Sequence, residues 1–212
     1  VYQHTFDRMK ERVEEYYSWF PEDAELATRI AEHLRTHKEY LPTGERLTDH
    51  RFQMAGHFLG GRWRERNLHY FLENAFAEGN DHLSDQFLTA MGAEVTFQAN
   101  PLYALMHETI YADGPSDGVL PGIPGYELSP SPSPTNWSAA RVAASRPEFA
   151  PDADRLLFTG EHIFPWYYEE DPALRPLAEV ANILAEKKDW GRLYDHEQLH
   201  KNEVPVVAAA YN

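Results

Sequence analysis

The sequence predicts a mainly α fold with at most one or two short strands. Three observations carry this: apolar residues recur at spacings of three and four, Pro and Ser stand where such runs begin, and only two short stretches have strand character. The 212 residues, 42% hydrophobic and 25% charged, are enough to bury a core, and they read as one domain over 1–212.

Phe6, Met9, Val13, Tyr16, Tyr17 and Phe20 give an apolar helix face over about 4–20, with Arg8, Lys10, Glu11 and Glu15 on the wet side. Pro21 ends that helix and opens a second through Leu26, Ile30 and Leu34, after which Pro42 and Gly44 mark a loop. Further helices are expected near 48–59, 63–77, 84–97, 101–112, 136–145, 173–187 and 195–201, with Ser84 and Asn100 as N-caps and Pro101 at the first helical position. Leu156–Thr159 and Val204–Ala209 are the strand candidates. Residues 114–134 hold four Gly, six Pro and four Ser without a periodic face and read as a loop.

Composition narrows the function. Lys plus Arg number 19 against 34 Asp plus Glu, a net charge of -15, the wrong sign for nucleic acid or an anionic bilayer. No apolar run approaches the roughly 20 residues of a membrane span. The absence of Cys excludes disulfides, Cys-ligated metals and Cys nucleophiles, and fits the cytoplasm. The chain has no initiator Met and stops after an apolar run, Val204 to Tyr211, so it reads as a piece of something larger.

Two motif matches have poor surroundings. Gly114-Pro115-Ser116-Asp117-Gly118 fits G-x-S-x-G, which needs a strand before it and a helix after it; here a helix end precedes and a Pro-rich loop follows. His196-Glu197-Gln198-Leu199-His200 is a literal H-E-x-x-H, able to place two His one turn apart on zinc with Glu as base. Only Leu199 is apolar in that short helix, which favours a solvated segment over a supported metal site.

Carboxylates embedded in aromatic sequence carry more. Glu161 lies within Leu156 to Tyr168, and Glu108 lies within Pro101 to Tyr111, on a helical face shared with Ala104, Leu105 and Tyr111. Each either pairs with an Arg such as Arg62 or Arg141 or faces a ligand.

Several ordered blocks then resemble one family: Asn100-Pro101-Leu102-Tyr103-Ala104-Leu105-Met106-His107-Glu108, Thr135-Asn136-Trp137, Phe158-Thr159-Gly160-Glu161-His162-Ile163, Asp171-Pro172-Ala173-Leu174-Arg175-Pro176-Leu177 and Asn202-Glu203-Val204-Pro205-Val206-Val207-Ala208-Ala209. They are similar to the larger bacterial prolyl aminopeptidases, or proline iminopeptidases, which are α/β-hydrolase serine peptidases. The resemblance implies a helical cap (lid) excised from the hydrolase, with the triad and oxyanion hole outside this chain and no cofactor or metal. It implies a peptide with a free N-terminal proline as substrate and the hydrolase core as partner, and an isolated chain that is inactive. It further implies Glu161 as the carboxylate for the substrate amino group, Glu108 as a second, and Phe164, Trp166 and Tyr167 as ring walls. Position 162 and the 114–134 insert are the expected departures from the family. A zinc peptidase using His196, Glu197 and His200, an esterase using Ser116 and a non-enzymatic helical interaction module stay open beside it.

Overall fold

In a computed structural model the described residues are 1–61, 63–77, 79, 81–111, 134–191, 195–205 and 207. The fold is mainly α. Two long helices, α1 (Tyr2–Trp19) and α2 (Pro21–Thr36), meet at Phe20, with Pro21 in the first turn of α2. That is where a ring lacking an N–H costs nothing. The apolar stripe of α1 is buried as its spacing predicts, with Phe6, Val13 and Tyr16 fully enclosed against Ile30 and Leu34 of α2 and Phe158. The Tyr16 hydroxyl donates to Asp23 of α2, so this polar atom on the stripe is satisfied inside the core.

A two-residue hairpin follows, β1 (Glu39–Tyr40) against β2 (Arg46–Leu47), with Gly44 at φ 93° in its turn. The sequence marks this turn through Pro42 and Gly44 but not the strands, which are too short to show alternation. The helix expected over 48–59 is instead a single α turn, α3 (Asp49–Phe52), continued as a 3-10 helix over Gln53–Gly60. Thr48 caps α3 by accepting from Arg51 N at 3.2 Å. The Arg51 side chain, 1% exposed, is held by Glu45 at 3.3 Å.

Then come α4 (Glu65–Glu73), α5 (Asp85–Val95), α6 (Pro101–His107) with a 3-10 turn over Glu108–Tyr111, α7 (Ser138–Ala144), α8 (Tyr167–Glu170), α9 (Ala178–Glu186) and α10 (His196–His200). Ser84 caps α5 by accepting from Phe87 N at 3.1 Å, whereas Asn100 occupies the N-cap of α6 without a side-chain bond. The helix expected at 173–187 begins later because Arg175–Leu177, containing Pro176, is 3-10.

Leu156–Thr159 is extended but is not a strand, which corrects the expectation. Its main chain bonds side chains instead of a neighbouring ladder. Tyr17 Oη donates to Leu156 O at 2.8 Å, Gln53 Nε2 to Leu157 O at 2.7 Å, and Leu156 N to Thr28 Oγ1 at 3.1 Å. Thr159 N donates to Gln53 O at 3.0 Å, drawing the segment against the 3-10 helix at Gly56. Of the second strand candidate, Val204, Pro205 and Val207 are not in a strand, and the rest lies outside the described residues, as do 114–133 with Ser116. No helix of the described residues is long and apolar enough to cross a membrane.

Candidate functional site

The start of α1, helix α6 with its 3-10 extension, and the Gly160–His162 turn meet around a cavity of about 470 Å3. Tyr2, Thr5, His107, Tyr111, Glu161 and His162 line it on this side. Each position follows from local structure. Tyr103, His107 and Tyr111 sit at successive i, i+4 steps, so one helical face presents all three. His162 N donates to Gly160 O at 2.7 Å, a tight turn that leaves Glu161 at its exposed tip while His162 is buried.

Glu161 accepts from Tyr103 Oη at 3.1 Å, and no Arg or Lys pairs with it among the described residues. The Tyr103 phenol, by burial and then by the Glu161 charge, is pushed up to about 12, so it stays a donor. Tyr111 shifts the same way for the same two reasons.

The His162 ring lies against Phe6, and its Nε2 meets Thr5 Oγ1 at 2.8 Å. The Thr5 hydroxyl donates to Tyr2 O at 3.0 Å, so the His162 nitrogen is the donor and Nδ1 keeps a lone pair. Burial and the neighbouring His107 charge drop the His162 pKa to about 4, and the ring is neutral. His107, 4% exposed, is also lowered; burial outweighs the pull of the Glu161 charge.

Glu108 lies outside the cavity lining. It is 4% exposed, and Ser138 N donates to its Oε2 at 3.4 Å while Oε1 has no partner. Arg141 bonds Asn136 O and Ser138 Oγ, both at 3.3 Å, and does not reach Glu108; Arg62 lies outside the described residues. Burial and then the Glu108 charge raise the pKa values of Tyr2 and Tyr168. Tyr2 Oη, both ring nitrogens of His107, Glu108 Oε1, His162 Nδ1 and Tyr168 Oη are buried with no hydrogen-bond partner.

Phe164 and Trp166 stack with centroids 5.6 Å apart, yet they line a second depression of about 580 Å3 with His50, Phe149 and Ala143. The structure therefore separates them from the Glu161 cavity, whose own aromatic lining is Tyr2 and Tyr111. Sequence reasoning alone does not single out those two residues, or Tyr103, His107 and His162, for this candidate site. The i, i+4 repeat of rings was the signal for Tyr103, His107 and Tyr111.

In α10, Asp195 caps the helix by accepting from Gln198 N at 3.0 Å, and Glu197 and His200 are exposed; the His196 side chain lies outside what is described. Among the described residues Glu22, Asp23 and His69 alone bring three potential ligand atoms within 4.8 Å, but both Asp23 oxygens already accept from Tyr16 or His69.

Comparison with known proteins shows what the chain is similar to. Over 212 residues the chain is 37% identical to a proline iminopeptidase of Aeromonas sobria. It is a homologue of proline iminopeptidases. Over 204 residues it is also 32% identical to proline iminopeptidase aneH of Aspergillus aculeatus. The chain spans 45% and 41% of the lengths of these two relatives, with 100% and 93% of its own residues aligned. No family model matches it.

Proposed function

We propose that this chain is the helical cap of a prolyl-aminopeptidase-like serine hydrolase that removes N-terminal proline from peptides. The catalytic triad then comes from a hydrolase core, in the part of the relatives that this chain does not span. One observation carries the reading: Glu161 faces a cavity, oriented by Tyr103 and without a cationic partner among the described residues.

A carboxylate so placed suits the ammonium of a free N-terminal proline. The bond to it is charge-assisted, and it strengthens as the cap excludes water. Tyr103 leaves Glu161 as acceptor because the phenol remains protonated. Tyr2 and Tyr111, in edge contact at 5.4 Å, offer ring faces to the pyrrolidine. Glu108 adds negative charge behind Tyr2, not a direct contact. Phe164 and Trp166 shape the neighbouring depression.

The test uses the intact protein carrying this chain, with prolyl anilide and its N-acetylated counterpart. Turnover of the free amine alone is expected. Equal turnover of both contradicts a role for Glu161 in amine capture, and turnover of neither favours the helical interaction module.

A further inference from the structure

We propose that the cavity holding Glu161 recognises both ends of a short peptide, with Arg64 taking the C-terminal carboxylate. This rests on the reading of Glu161 as the amine-binding group. The cavity wall divides by charge. Glu161 comes from the Gly160–His162 turn, while Arg8, Arg12, His57 and Arg64 come from α1 and from the 3-10 helix and loop that lead to α4.

Three of these four basic side chains are already engaged. Arg8 bonds Glu11 at 2.6 Å, Arg12 donates twice to Leu59 O at 3.2 and 3.1 Å with Glu15 and Glu65 each at 3.6 Å, and His57 meets Glu94 at 2.6 Å. Arg64 has no carboxylate partner among the described residues. Arg29 and Arg66 likewise lack a carboxylate partner; what sets the exposed Arg64 apart is that it lines the cavity that also holds Glu161.

Its surroundings hold it ready. The guanidinium lies 5.6 Å from the Phe58 ring centroid, and the His57 ring stacks on Phe58 at 4.9 Å. A Cβ at Gly61 would come within 3.1 Å of Arg64 Cδ, so the bare glycine lets the arginine stem lie close to the main chain. Trp63, immediately before it, has φ 71°, a setting that bulky side chains rarely adopt. Arg64 is also the N-cap residue of α4, where the helix end adds positive potential.

A planar guanidinium matches a carboxylate in two parallel hydrogen bonds. With Glu161 on the same wall, the ligand is zwitterionic, and about 470 Å3 holds a molecule of small-peptide size. The substrate class is therefore proline-initiated di- and tripeptides with a free C-terminus.

The experiment compares prolyl-alanine with prolyl-alaninamide in the intact protein, reading the ratio of their kcat/KM values. The free acid is expected to be favoured about tenfold, with the ratio collapsing toward one in Arg64→Met and partly retained in Arg64→Lys. A parent protein that cleaves both equally, or an Arg64→Met variant that loses both in proportion, overturns the carboxylate subsite while leaving amine capture intact. A parent that cleaves neither overturns the proposed function, and this inference with it.

Discussion

The His162 imidazole lies face to face on the Phe6 ring, with centroids 4.0 Å apart and planes 4° from parallel. The stack buries His162 to 2% exposure and, with burial and the His107 charge acting together, brings its pKa to about 4. Above pH 6.5 the ring is neutral in both folded and unfolded chains. As pH falls from 6.5 toward 4 only the unfolded chain takes up the proton, so stability on the order of 3 kcal/mol is lost over that window. His162→Phe keeps the stack and removes the titration. Urea unfolding from pH 4 to 7 should therefore show a flatter acid flank in the variant, and an equally steep flank would refute the assignment.

His50 works on the other side of neutrality. Burial alone would lower it, but hydrogen bonds to Asp49 at 3.3 Å and Glu170 at 2.7 Å raise it to about 9. Its contribution is complete below pH 6.5 and disappears as pH rises through 9. His50→Gln should cost most near pH 6 and little at pH 9.5. A cost that does not change with pH would mean that the hydrogen bonds matter and the charge does not.

Gly56 is where the extended 156–159 segment meets the 3-10 helix. A Cβ there would lie 2.1 Å from Thr159 O and 2.7 Å from Phe158 Cβ, contacts with atoms that have little room to move. Gly56→Ala should destabilise by about 2–3 kcal/mol. A thermal melt within a degree of the parent would show that the two segments are less closely apposed.

These cases show what the sequence made legible. The α1 stripe and the Ser84 cap depend on neighbours within four residues, and both form as expected. Leu156–Thr159 has the apolar run of a strand, but the groups that satisfy its main chain are Tyr17, Thr28 and Gln53, more than 100 residues away in sequence and without any local mark. Glu161 could be singled out because a carboxylate among aromatic residues needs a reason. Its partner Tyr103 is 58 residues distant, so the pair emerges only in the fold. Phe164 and Trp166 follow Glu161 closely in sequence, yet the turn closed by Tyr167 N and Phe164 O at 3.1 Å carries them to the second depression.

The central claim is that Glu161 faces the substrate amine, and Glu161→Gln in the intact protein tests it most directly. Glutamine keeps the volume and can still accept from Tyr103, so the cavity persists while the charge is lost. The measurement is the catalytic efficiency on an N-terminal proline substrate divided by that on a small ester, variant against parent. A hydrogen bond to a charged group is worth about 1.5–3 kcal/mol, so the ratio should fall roughly tenfold or more. An unchanged ratio, with both activities intact or both reduced together, would place Glu161 outside the substrate site and contradict the account.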